Sequence, residues 1–305
     1  MLAGRMPSLD PSSYRRTFSL DLLRAVPSGA VLTVGTTFAI LLANQVFAAP
    51  DWAKGLLLAA SPLGMLSGVS SVTMVRRTGM SVNQGIGLLS GLEGMGYALA
   101  AASGFVGSES ALVCFIVGMM IALFCGALTV PLMAQVYRSG YPDHRRGQLF
   151  ALSAMVRAGA AIWVAAVLGK MLAGDLSSYP VAMGVFAASA VAVGACVLAM
   201  SRVEIQQKAR AKLFEAFSHV REDKPFLKLL TSWMLLGFGN LMAFAMFVEA
   251  VANPKYGYGY EADRVTLLTT TIPQIGFVLC VFAWGRLFDR WNFYLLRLCI
   301  NLVFI

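Results

Sequence analysis

The chain has 305 residues, of which 58% are hydrophobic and only 13% charged, and its net charge is +9. Soluble domains carry about 25% charged residues, so a water-soluble fold of this size could not cover its own surface. The composition excludes an ordinary soluble enzyme or binding domain and requires lipid as solvent for stretches of ~20 apolar residues.

Residues 1–27 hold Arg5, Arg15, Arg16 and Arg24 but no apolar core followed by a cleavage site. They read as a cytoplasmic N-terminal segment, not a removable signal peptide, and the first apolar run, 28–48, serves as the insertion signal. Further runs at 55–75, 83–103, 111–136, 149–172 and 181–200 complete a six-span bundle over 28–200. A charged loop follows at 201–227. Within it Ala209, Leu213, Phe214, Phe217 and Val220 recur at helical spacing, which predicts an amphipathic cytoplasmic helix. Runs at 228–251 and 265–284 open a second bundle, 228–305, and a ninth run begins near residue 295. None of the runs alternates with the period of two that a barrel strand needs, so the expected spans are helices.

Loop charge sets the expected orientation. Nineteen of the 24 basic residues fall on the side of the N-terminus, in residues 1–27, at Arg76 and Arg77, at 138–146, in the 201–228 loop and at 286–297. The opposite loops hold Lys54, Lys170, Lys255 and Arg264, and Arg157 lies inside a span. The N-terminus is therefore expected in the cytoplasm, and the basic balance needs no nucleic-acid partner. The five cysteines (114, 125, 196, 280 and 299) sit in or beside apolar runs without metal-ligand spacing and read as packing residues.

An internal repeat is visible at an offset of about 211. "DWAKGLLLAASPLG" (51–64) and "EADRVTLLTTTIPQIG" (261–276) each give an acid, a base, an apolar run and a proline inside the helix, Pro62 and Pro273. Each then leads to a basic turn, "VRRTG" (75–79) and "FDRWN" (288–292).

Six spans, a basic linker and further spans resemble the major facilitator superfamily of secondary transporters. Its signature turn between spans two and three is G-x-x-x-D-R-x-G-R-R, with a fainter copy between spans eight and nine. In the second copy Gly285, Asp289 and Arg290 match, and Asn292 replaces the second glycine. In the first, Arg77 and Gly79 match, while Arg76 stands where the Asp belongs and Val72 where the first Gly belongs. "YPDHRRGQLFAL" (141–152) brings Arg145 and the Arg146-Gly147 pair to the superfamily's place before span five, and "REDKPFLKLL" (221–230) is typical of the entry to span seven. The resemblance implies an all-α polytopic bundle that moves a small-molecule solute, with or without H+, by alternating access. It implies no cofactor, a monomer when full length, and a multi-pass protein of the bacterial inner membrane. An Asp that caps a helix and pairs with Arg at the membrane surface could latch two bundles together; the rival reading is a positive-inside anchor. The fourth span lacks the Arg, and the fifth the proline, that mark drug–proton antiporters of the superfamily.

Ionisable groups inside spans are few and costly. Glu93 lies mid-way along the third run in "SGLEGMG" and Arg157 about two turns into the fifth. Glu93 is a candidate to take up and release a proton, a candidate partner for Arg157 in a structural bridge, or an uncharged acid bonded to a neighbouring helix. Arg157 binds an anionic solute or Glu93, or else snorkels to the surface. Glu249 is near the outer end of the seventh run. Among neutral groups, Asn44 and Gln45 in the first run, Asn240 in the seventh and Gln274 in the eighth are cavity candidates, with interhelical hydrogen bonding as the alternative.

Two other classes compete with a transporter. A membrane enzyme would need a catalytic set, but His144 and His219 lie in loops and neither H-E-x-x-H nor a P-loop is present. The third class is a receptor-like protein or transporter remnant. The chain ends about ten residues into its ninth run; those cover ~15 Å, half of the ~30 Å hydrocarbon core. A transporter cut short in its second bundle is the expectation.

Overall fold

The computed structural model describes residues 11–142, 146–205 and 221–290, together with positions 295, 298, 299 and 302; of residues 282–290 it describes the backbone. Helices cover all eight complete runs, and no strand occurs among the described residues. The expected surface helix at 206–220, Arg145 and most of the ninth run lie outside them.

The first span is continuous from α1 (Pro11–Thr33) through a π-helical segment (Val34–Phe38) to α2 (Ala39–Gln45). It is helical already at Pro11, the first described residue, and not only from residue 28. Of the charges that suggested a loop, Arg24 is paired to Asp21 one turn earlier, while Arg15 and Arg16 are exposed on the helix. The second span is α3 (Asp51–Leu66) and α4 (Gly68–Thr78), bent by 51° at Ser67. Pro62 and the Ser67-Gly68 pair account for the bend. Gly79 ends α4 in the left-handed region with φ +68°, which a glycine adopts without strain.

The third span, α5 (Val82–Ala102), starts at a capping box in which Ser81 and Gln84 satisfy each other's backbone N–H groups. The fourth is α6 (Ser108–Leu128) followed across Thr129 by α7 (Val130–Gly140); the fifth is α8 (Arg146–Gly174) and the sixth α9 (Tyr179–Ala199). Between the last two, Ser177 donates to Asp175 from its N–H and its hydroxyl, at 2.9 and 2.8 Å, and holds that carboxyl below the usual carboxylate range. The seventh span, α10 (Lys224–Ala252), is capped by Asp223, which accepts from the Phe226 N–H. The eighth is α11 (Ala262–Thr266), a second π-helical segment (Leu267–Thr271) and α12 (Ile272–Arg290).

By length and apolarity, five of these helices could cross a membrane, or six with the bent second span, among the described residues. The third span falls short on hydropathy because it carries Glu93 and five glycines. Those glycines serve packing. A Cβ at Gly96 would lie 2.6 Å from the Gly118 carbonyl oxygen, and one at Gly118 would lie 2.6 Å from the Gly96 carbonyl oxygen. Spans three and four therefore touch backbone to backbone, as small residues permit in membranes. Around this contact Phe38, Tyr97, Phe115, Met183 and Phe186 are fully buried. Leu66, Leu279, Trp163 and Met95 are exposed by two thirds or more, an arrangement that lipid stabilises and water would not. The chain is an all-α polytopic bundle.

Candidate translocation site

Glu93 projects from the middle of α5 and is 6% exposed. Its carboxyl occupies the space a side chain would need at residue 126 on α6: a Cβ on Gly126 would stand 2.5 Å from Glu93 Oε1. Tyr97, one turn further, is fully buried and lines the same cavity as Glu93.

Glu93 and Tyr97 share an open cavity of about 240 Å³ with Arg24, Arg157, Ser28 and Ser61, lined by residues of the first six spans. Arg24 is held on every side. It donates from Nε to Asp21 Oδ1 at 2.8 Å and from a terminal nitrogen to the Tyr137 hydroxyl at 2.6 Å. Tyr141 donates to the other oxygen of Asp21 at 2.6 Å. Asp21 is 1% exposed, so its charge is tolerated only because these partners replace water. Arg157 differs: it is part-buried and has no hydrogen bond or ion pair, with Glu93 or any other group, among the described residues. The two residues expected as a pair share a cavity without bonding.

Spans one and eight meet where both are π-helical. Thr37 Oγ1 lies 2.6 Å from the hydroxyls of both Thr269 and Thr270, and Thr36 lies 3.5 Å from Thr270. Such underwound turns are rare and concentrate at functional sites. Beyond this seam, toward Gln45, stands a second polar cluster. Glu249 on α10 accepts from Lys54 Nζ at 2.6 Å, Asn44 Nδ2 at 2.7 Å and Asn253 Nδ2 at 2.8 Å. Gln45 donates to the Tyr260 carbonyl at 2.9 Å. These bonds tie spans one and two to spans seven and eight. All lie at the Gln45 end or at the threonine seam, whereas the cavity runs the other way along span one, from Gly35 to Arg24.

The family model described as Major Facilitator Superfamily matches residues 86–305. The chain belongs to the major facilitator superfamily. No curated protein and no solved structure matches it. As a superfamily member it is a membrane-embedded transporter of a small-molecule solute.

Set against the superfamily's signature turns, Arg76 and Arg77 occupy the last turn of α4, exposed, where positive charge suits the helix dipole. They make no ion pair among the described residues. Gly285, Asp289 and Arg290 were expected in a turn. They lie instead in the last turns of α12, because nothing between Pro273 and Arg290 breaks the helix; their side chains are outside the described residues. Arg146 opens α8 and donates to the Arg138 carbonyl at 3.0 Å, which anchors the link from span four, and Gly147 follows it on open surface.

The neutral candidates separate. Asn44 and Gln45 belong to the Gln45-end cluster rather than to the cavity, since they lie more than two turns past Gly35 on the same helix. Glu249, part-exposed, bonds across the halves. Asn240 is exposed on α10, and Gln274, part-buried on α12, lines no cavity described here. Sequence reasoning assigned no role to Asp21 or the threonine seam and counted Arg24 and Lys54 as loop charges. The i, i+3 spacing of Asp21 and Arg24 and the runs "TVGTTF" (33–38) and "LLTTTI" (267–272) were the available signals.

Proposed function

We propose that the protein is a secondary active transporter that carries its solute by alternating access, with Glu93 as the proton-binding group and the N-terminus in the cytoplasm. The cavity that holds Glu93 and Arg157 lies on one side of the threonine seam, and the hydrogen bonds that join the two halves among the described residues lie at or beyond it. That separation carries the reading. It is the arrangement expected of a state sealed on one face, with its site reachable only from the other. With the charge asymmetry of the loops, the sealed face is the outer one. Lys54 and Glu249 then act as the outer latch, a role the sequence suggested for the signature turns at the opposite face.

Glu93 supports coupling because it is a buried carboxyl that faces a cavity and has no ion-pair partner among the described residues. The test is solute flux in proteoliposomes under an imposed pH gradient. Accumulation that follows the gradient in the native protein and fails in Glu93→Gln is the expected result. Flux indifferent to the gradient in both would remove the proton from the proposal; no flux under any gradient would remove the transporter mechanism.

A further inference from the structure

We infer that the transported solute is a small anion whose carboxylate or phosphate group binds Arg157; this rests on the transporter reading above. The cavity contains two guanidinium groups with different fates. Arg24 is saturated by Asp21 and Tyr137, and Asp21 cancels its charge. Arg157 has no hydrogen bond or ion pair among the described residues, and Asp21 and Tyr137 act on its charge only from a distance. Glu93 is the only acid among the described residues that line the cavity, and its carboxyl packs against Gly126 rather than pairing with Arg157. With Glu93 protonated and Asp21 paired to Arg24, Arg157 leaves the site with a net positive charge.

A part-buried guanidinium whose donors have no protein partner among the described residues favours an oxyanion, which it can meet with two parallel N–H groups. Ser28 and Ser61 open hydroxyls onto the same cavity, and neither has a hydrogen-bond partner among the described residues. They add neutral donors or acceptors for the rest of the solute. A cation finds the opposite environment, since the cavity has no free carboxylate cluster. The volume of about 240 Å³ sits below the ~300–1,000 Å³ of drug-sized sites, so the anion is small.

The experiment measures flux in proteoliposomes for three probe sets: lactate, succinate and inorganic phosphate; neutral glycerol; and cationic choline. Native protein, Arg157→Gln and Arg157→Lys are compared, and thermal melting in detergent shows that each variant folds. Transport of at least one anion is expected, reduced about tenfold or more in Arg157→Gln, with partial retention in Arg157→Lys, which keeps the charge but loses the paired donors. Transport of glycerol or choline at the same rate in native protein and Arg157→Gln would overturn the anion assignment and leave the transporter reading standing. Absence of flux for all three sets would overturn the transporter reading itself, and the anion assignment with it.

Discussion

Lys54 and Glu249 meet at 2.6 Å although 195 residues separate them in the chain. Their side chains are 9% and 19% exposed, so the pair stands between a surface ion pair and a buried one. It is the strongest charge contact joining the two halves among the described residues, and Asn44 and Asn253 complete the carboxylate's hydrogen bonds.

Breaking that pair should loosen the seal. Surface pairs contribute about 0–1 kcal/mol and loss of one buried partner costs about 3–5, so an intermediate effect of about 1–3 kcal/mol is expected for Lys54→Met or Glu249→Gln. Ala252 is 1% exposed and lines the pocket beside Lys54. In a protein freed of its native cysteines, Ala252→Cys should react slowly with an impermeant maleimide. Adding Lys54→Met should speed that reaction about tenfold, the factor for about 1.4 kcal/mol. An unchanged rate would show that the pair does not hold the seal.

Glu93→Gln removes the titratable proton while keeping the size of the side chain that fills the space at Gly126. The variant should fold and should still exchange solute across vesicles at equal pH. It should lose accumulation against a gradient when the lumen and bath differ in pH. If solute accumulates as in the native protein, the proton travels by another group.

Packing of spans three and four admits a paired test on one helix. At Gly96 an added methyl group would sit 2.6 Å from the Gly118 oxygen and the Ala122 nitrogen, so backbone must yield. Gly96→Ala should destabilise by about 1–3 kcal/mol, as overpacking does. At Gly91 nothing lies within 4 Å, so Gly91→Ala should be neutral or gain up to about 1 kcal/mol of helix propensity. Melting temperatures of the two variants in one detergent check the contrast, and equal shifts would refute it.

These residues also mark how far the sequence could be read. Apolar runs located the spans because lipid forces each span to satisfy its own backbone. The start of span one escaped because Arg15, Arg16 and Arg24 suggested a loop. Charge signals water only when it is unpaired, and the Asp21–Arg24 bond reverses the inference for Arg24. Lys54 and Glu249 looked like outer-end charges for a different reason: nothing local links positions 195 residues apart, and only the docking of spans two and seven makes them partners. The π-helical turns were not legible either. One extra residue in a turn leaves composition and hydropathy unchanged, so "TVGTTF" reads as ordinary helix.

The threonine seam gives the last prediction. Thr37 is shared between Thr269 and Thr270 at 2.6 Å each. Thr269 keeps a second bond, to the Val265 carbonyl at 2.8 Å, whereas Thr270 keeps only the long contact with Thr36. Thr37→Val therefore strands chiefly the Thr270 hydroxyl, which is 1% exposed, and should cost about 1–3 kcal/mol for an unsatisfied buried group. Thr270→Val alone should cost less, because Thr37 retains Thr269. Replacing both leaves no stranded hydroxyl, so the double variant should recover most of the loss. The seam exists only while the halves are together on this side, so the effect must register in the labelling of Ala252→Cys as well as in melting. Faster labelling in Thr37→Val that returns toward the native rate in the double variant is the expected pattern. Simple addition of the two single effects would mean that the hydroxyls are not coupled across spans one and eight.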